Sequence, residues 1–204
     1  MKDNASFMVG TVLFGIIFII VVVIAVGLVN LFGGPSVKTD IETPPASLEE
    51  LLDKPAPLFS LSDIAGRVYS NENLKGKNVM LFFNEGLRCY PACWDQMVSL
   101  GDPKFNNDEI ATFSVVVDKK SDWELAAEKL DDMKKVNALF DDGTVSTRFG
   151  MLNTRSSMHR GTLPGHSYVI LDKNGIVRFV LDDPRMAIQD DKLEQYFKQF
   201  EVRL

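Results

Sequence analysis

Cysteine is nearly absent from this chain: Cys89 and Cys93 are the only two in 204 residues. Two thiols cannot form a disulfide framework, and with no two further ligands at suitable spacing they exclude a structural zinc site. Histidine is equally scarce, with only His159 and His166. Basic residues are not in excess either, since 22 Lys and Arg face 28 Asp and Glu for a net charge of -6, all of it after residue 32. That balance argues against nucleic acid as a partner and against a polybasic grip on anionic lipid. No internal repeat occurs, and the one biased tract is apolar.

In that tract charge is missing altogether, with no charged residue between Asp3 and Lys38. Residues 7–32 are almost wholly apolar, and about 20 such residues suffice for a helix to cross a bilayer. A transmembrane helix is therefore expected at 7–32, after an N-terminal tail at 1–6. The apolar region of a cleaved signal peptide is shorter, about 7–15 residues. Gly10, Gly15 and Gly27 make no Gly-x-x-x-Gly pair and so give no reason for helix dimerisation. Lys2 before the run and Lys38 after it leave the positive-inside bias weak. The short tail favours a cytoplasmic N-terminus, so the expected location is the cell membrane, single-pass, with the domain on the extracytoplasmic side and the lipid bilayer as a partner.

Residues 33–55 read as a Pro-containing linker, a partly stiff tether with Pro35, Pro44, Pro45 and Pro55. Ser47 with Glu50 three residues on suggests a capped helical turn inside it. Residues 56–204 then carry the pattern of one α/β domain. A small hairpin is expected over 59–70, and the unbroken apolar run at 79–83 predicts a strand buried on both faces. A helix should follow at 92–100, a second central strand at 110–117, and a helix started by a Ser121/Glu124 capping box with Trp123, Ala126, Ala127 and Leu130 on its apolar stripe. A short strand at 138–140, a short helix at 144–149 ended by Gly150, a polar loop at 153–165 and a hairpin over 167–181 come next. The last helix uses Leu193, Tyr196, Phe197 and Phe200. This order is that of a thioredoxin-like fold, a central mixed sheet with flanking helices.

Both cysteines fall at the junction between the strand at 79–83 and the helix at 92–100, beyond the carboxyl end of a strand, where α/β sheets place reactive sites. Pro91 sits where the helix would start. Unpaired N–H groups at a helix N-terminus favour an anion, and Arg88 adds positive charge beside Cys89, so a lowered thiol pKa is expected. Two buried thiols packed as small hydrophobes are the plainer reading, but Asn84, Glu85, Arg88 and Asp95 make the surroundings polar. Cys89 precedes the helix and is expected to be the more exposed, attacking thiol; Cys93 is then the buried, resolving one, with the reverse order open. His166 leaves the polar loop at a strand start, and Glu85 is a candidate proton relay. Met151 and Met158 are candidate soft ligands, although loop methionines commonly fill gaps.

The chain resembles the alkyl hydroperoxide reductase and thiol-specific antioxidant family, the peroxiredoxin-like redoxins. The resemblance spans roughly residues 56–200. It is carried by Ala56-Pro57-Leu58-Phe59-Ser60-Leu61, Leu74-Lys75-Gly76-Lys77 before Phe82-Phe83, the cysteine turn, Leu139-Phe140-Asp141-Asp142-Gly143 and Tyr168-Val169-Ile170-Leu171-Asp172-Lys173-Asn174-Gly175. It implies a thiol-dependent oxidoreductase with Cys89, Cys93, Arg88 and His166 as site residues and no cofactor. A peroxide or protein disulfide would be substrate, and a thiol compound the reductant. Members usually carry Thr or Ser three residues before the peroxide-attacking cysteine; here Gly86 precedes Cys89 and Tyr90 precedes Cys93. The family's Arg at the start of the following strand is replaced by His166. Cys89, Cys93 and His166 also look like the ligand trio of Sco-type copper chaperones, although Tyr90 and Trp94 stand where those have Pro. Copper binding is thus an alternative, and a redox-inert binding module on the same fold a third.

Overall fold

The strand expected at 79–83 forms as β3 (Asn78–Phe83), and every one of its residues is buried. Successive side chains of a strand point to opposite faces. Val79, Leu81 and Phe83 accordingly enter one core, while Met80 and Phe82 enter a second on the other side of the sheet. The computed structural model describes residues 43–199 together with Ile20, Val21 and Ile24. The chain divides into two units, Met1–Ile41 and Glu42–Leu204, and the second holds the whole sheet and both cysteines. The tail at 1–6, the span at 7–32 apart from those three helical positions, the start of the linker and Phe200 lie outside the described residues. Among the described residues no helix is long and apolar enough to cross a membrane.

The sheet also contains β1 (Ser60–Ser62), β2 (Val68–Ser70), β4 (Ile110–Val116), β5 (Ala138–Phe140), β6 (Ser167–Leu171) and β7 (Val177–Asp182). Its order is β2-β1-β5-β4-β3-β6-β7. β3 pairs parallel with β4 and antiparallel with β6, and the parallel β4–β5 pair is flanked by antiparallel hairpins at both edges. Helix α1 (Ala92–Leu100) buries Cys93, Gln96, Met97 and Leu100, the spacing of one helical stripe. Among the described residues from 43 on, the other α-helices are α2 (Lys120–Lys129), α3 (Thr144–Arg148) and α4 (Asp190–Gln199). Trp123 of α2, together with Leu193 and Phe197 of α4, packs in the same core as α1, whereas Val145 of α3 lies in the other. This is the expected mixed sheet with helices on both faces.

Local details depart from expectation. The cap at Ser121 does not form: α2 begins two residues earlier than that cap would place it, after Lys119. There Lys120 Nζ donates to Ser62 Oγ at 3.0 Å and to the Asp63 carbonyl at 2.7 Å, tying the helix start to β1. Leu130 ends that helix in an extended conformation and stays 44% exposed, off the apolar stripe. Ser47 precedes a 3-10 turn, Leu48–Leu51, without capping it through its side chain; Glu50 instead accepts from the Ala46 N–H at 3.1 Å.

Candidate redox site

The sheet delivers the cysteines through a tightly bonded turn. Past β3, Asn84 donates from Nδ2 to the Phe82 carbonyl at 3.2 Å and accepts the Gly86 N–H at 2.8 Å. The 3-10 turn Gly86–Arg88 follows, with the Leu87 N–H donated to Asp118 Oδ2 at 3.0 Å and Trp94 Nε1 donating to the Gly86 carbonyl at 3.2 Å. Gly86 has φ +60, and a Cβ there would overlap the Asp118 carboxylate. Only glycine meets both demands. The Cys89 N–H then returns to the Gly86 carbonyl at 3.2 Å, and the Cys93 N–H reaches the Cys89 carbonyl at 3.0 Å. This folding-back brings the two Cα atoms to 5.3 Å, and the sulfurs are joined as a disulfide. Tyr90-Pro91 between them is cis.

Both cysteines are buried; Cys89 is the more exposed of the two, as expected, but only slightly. Cys93 is 0% exposed because it lies on the core stripe of α1. Cys89 is 3% exposed, with Met186 Sδ 3.9 Å from its Sγ, whereas the intervening Tyr90 is 72% exposed. His166, one residue before β6, is 1% exposed; its Nδ1 stands 3.5 Å from Cys93 Sγ and its Nε2 2.9 Å from Tyr168 Oη. Burial pushes the imidazole down to about 4 against the opposing effects of the Asp183 charge, a hydrogen bond to the Ala187 backbone and the Asp182 charge, so it is neutral at pH 7.

Glu85 is not a free proton relay. Its buried carboxylate accepts the N–H groups of Met158 and His159 at 2.6 and 3.0 Å and meets His159 Nδ1 at 2.7 Å. It thus clamps the polar loop beside the cysteine turn, and His159 belongs to that clamp. Arg88 is exposed, and its charge bears on Asp118, whose carboxyl burial pushes up. The structure brings Cys89, Cys93 and His166 to one place. Among the described residues no group of three or more His, Cys, Asp or Glu side chains is placed to hold a metal ion. Asp118, Met186, Tyr168 and Gln96 are neighbours that sequence reading missed. Asp118 carried a usable signal, since it lies just past a strand parallel to β3, at the same carboxyl edge of the sheet.

Known proteins agree with this architecture. The model of the AhpC/TSA family matches residues 52–180, more than half of the chain. No curated protein matches. The mitochondrial 2-Cys peroxiredoxin from Plasmodium falciparum is 16% identical with a TM-score of 0.60, over 74% of this chain and 94% of that one. A putative protein disulfide isomerase from Bacteroides thetaiotaomicron is 17% identical with a TM-score of 0.55, over 72% and 88%. The yeast mitochondrial 1-Cys peroxiredoxin, studied for thiol resolution through glutathione and thioredoxin systems, is 14% identical with a TM-score of 0.61, over 74% and 76%. At such identities these structures speak to the fold, which is thioredoxin-like. The family match speaks to membership and thiol-dependent chemistry: the chain belongs to the AhpC/TSA family.

Proposed function

We propose that this protein is a membrane-anchored thiol–disulfide oxidoreductase whose Cys89–Cys93 pair cycles between dithiol and disulfide, with protein disulfides as its main substrates. The observation that carries this reading is the pair itself, at disulfide distance, with a neutral imidazole nitrogen facing the inner sulfur. In the reductive direction the Cys89 thiolate attacks one sulfur of a substrate disulfide. A mixed disulfide forms, the substrate S–S bond breaks, and one substrate thiolate leaves. Cys93 then attacks Cys89 Sγ with its S–H turned to the lone pair of His166 Nδ1, which draws the proton off as the new S–S bond forms and does not retain it. The internal disulfide forms, and the second substrate thiolate leaves and takes up a proton. Two electrons have moved to the substrate, and a thiol reductant restores the pair by the same exchange in reverse. A peroxide would instead leave a sulfenic acid on Cys89, which attack by Cys93 resolves with release of water.

Disulfides are favoured over peroxides for three reasons. Neither cysteine has Thr or Ser three residues before it, and His166 occupies the place of the family's Arg. The Gly86 and Leu87 N–H groups, which could have faced a peroxide, are spent on Asn84 and Asp118. The exposed ring of Tyr90, between the cysteines, offers a polypeptide a contact that a small peroxide cannot use. A similar structure is described as a putative protein disulfide isomerase. The anchor rests on the apolar run at 7–32.

Substitution Cys89→Ser is expected to abolish reduction of a disulfide-bonded model protein, while the unsubstituted chain reduces that protein faster than it consumes hydrogen peroxide. Unchanged turnover of both substrates in the variant would refute the reading.

A further inference from the structure

We infer that Tyr168 and Gln96 are positioning residues that hold His166 in a single tautomer, with the proton on Nε2 and the lone pair of Nδ1 turned toward Cys93. This deepens the proposed thiol exchange and rests on it, but its basis is the direction of four hydrogen bonds. The first is unambiguous, because the backbone N–H of Gln189 can only donate, and it meets Gln96 Oε1 at 2.7 Å. The other end of that amide, Nε2, lies 3.0 Å from Asp190 Oδ1, a carboxylate that can only accept. Exchanging the amide's oxygen and nitrogen would set donor against donor and acceptor against acceptor, so its orientation is fixed by its partners. The same Asp190 carboxylate takes Ser99 Oγ and, at 3.3 Å, Lys104 Nζ on its second oxygen, which anchors it as an acceptor.

With Gln96 Oε1 oriented in this way, the next group along has no choice. Tyr168 Oη lies 3.0 Å from that oxygen and must give it its only proton. The phenol oxygen is left as an acceptor, and His166 Nε2 at 2.9 Å must donate to it. A neutral imidazole carries one N–H, so Nδ1 is bare, 3.5 Å from Cys93 Sγ. Burial supports the neutral form, holding His166 well below its usual range and the Tyr168 hydroxyl well above its own. Gln96, Tyr168 and His166 are all fully or almost fully buried, so bulk water does not compete for these bonds.

The tautomer decides the chemistry. With Nδ1 bare, reduction of the disulfide presents the Cys93 S–H with a base. With the proton on Nδ1, the ring could only donate to a thiolate that had already formed. Removing the Tyr168 hydroxyl strands the Nε2 proton in a buried site, and transfer of the proton to Nδ1 relieves that loss.

The chain holds only two histidines, which makes the test direct. Nitrogen-15 histidine labelling of the full chain in detergent micelles, with long-range proton–nitrogen correlation and His159→Gln for assignment, reads the tautomer of His166. The reduced protein should show the Nε2-protonated pattern, and Tyr168→Phe should move it toward Nδ1-protonated. In the same variant, release of substrate from a preformed Cys89 mixed disulfide should slow by about a hundredfold, the scale of general-base catalysis, with the initial attack by Cys89 unaffected. Gln96→Leu is the second variant, since it frees the Tyr168 hydroxyl to turn and donate to His166, and it should give the same shift. An Nδ1-protonated ring in the unsubstituted protein, or an unchanged pattern and release rate in whichever variant folds, would overturn the inference. A protein inactive toward thiols but with the Nε2 pattern would instead count against the function and leave the tautomer lock standing.

Discussion

Replacing Cys93 by serine is expected to stop the reaction halfway, with the substrate retained on Cys89 as a mixed disulfide. Cys93 is 0% exposed on the stripe of α1 with His166 Nδ1 beside it, while Cys89 keeps 3% exposure, under Met186 and next to the exposed Tyr90. In the proposed cycle the first exchange therefore falls to Cys89, the less buried of the two once Met186 moves aside, and the second to Cys93, which has the imidazole beside it. Serine at 93 keeps the shape of the side chain and can still hydrogen-bond to His166, but it cannot attack a disulfide at neutral pH, so turnover should fall to background while the first exchange survives. Intact-protein mass spectrometry should find one substrate molecule per chain, released by a thiol reductant. The companion Cys89→Ser should carry no adduct. If the adduct formed on Cys93 in the Cys89→Ser protein and not on Cys89 in the Cys93→Ser protein, the order of attack would be the reverse.

Acid should destabilise the folded domain through His166 before it acts through the carboxylates. The folded imidazole titrates at about 4, below the usual 6.5, so as pH falls the unfolded chain takes the proton first. Stability from this group is complete above pH 6.5 and is lost between there and about 4, and the gap is worth about 3 kcal/mol. Asp63, Asp172 and Asp183 are also held low by their hydrogen bonds, against the opposing effect of burial. Their contribution is lost only below the ordinary carboxylate range near 4, so the windows separate. Denaturant unfolding at pH 7.5, 6 and 5 should show a decline that His166→Asn removes, whatever that substitution does to stability at pH 7.5. Parallel slopes for the two proteins would assign the decline to other groups.

Most of this fold could be read in advance from residues that face one environment along a whole element. β3 is apolar at all but its first position because both its faces are covered, and α1 repeats apolar or thiol positions at helical spacing because one stripe is covered. The cysteine turn and His166 were likewise legible, since a strand end, a proline and a strand start are local signals. What was hidden depends on contacts between distant segments. The near-complete burial of Cys89 was not legible because nothing near it in sequence announces that Met186, 97 residues on, lies against it. Glu85 looked free because its partners are 73 and 74 residues away. Gln96, an amide in an apolar stripe, was the one discordant residue that could have pointed to the Tyr168–His166 chain. The failed cap at Ser121 belongs with these cases, since the pull of Lys120 toward Ser62 and Asp63 outweighs a local preference.

Thiol–disulfide exchange of the kind proposed requires Cys89 and Cys93 to pass two electrons together. Fully reduced protein would be mixed with one equivalent of a disulfide-bonded protein, quenched with an alkylating reagent at intervals and digested for mass spectrometry. Both thiols should disappear at the same rate, a Cys89–Cys93 linked peptide should accumulate in step, and two thiols should appear on the partner for each pair lost. Cysteines that stay open to alkylation, with the partner's disulfide intact and hydrogen peroxide no more effective, would contradict it.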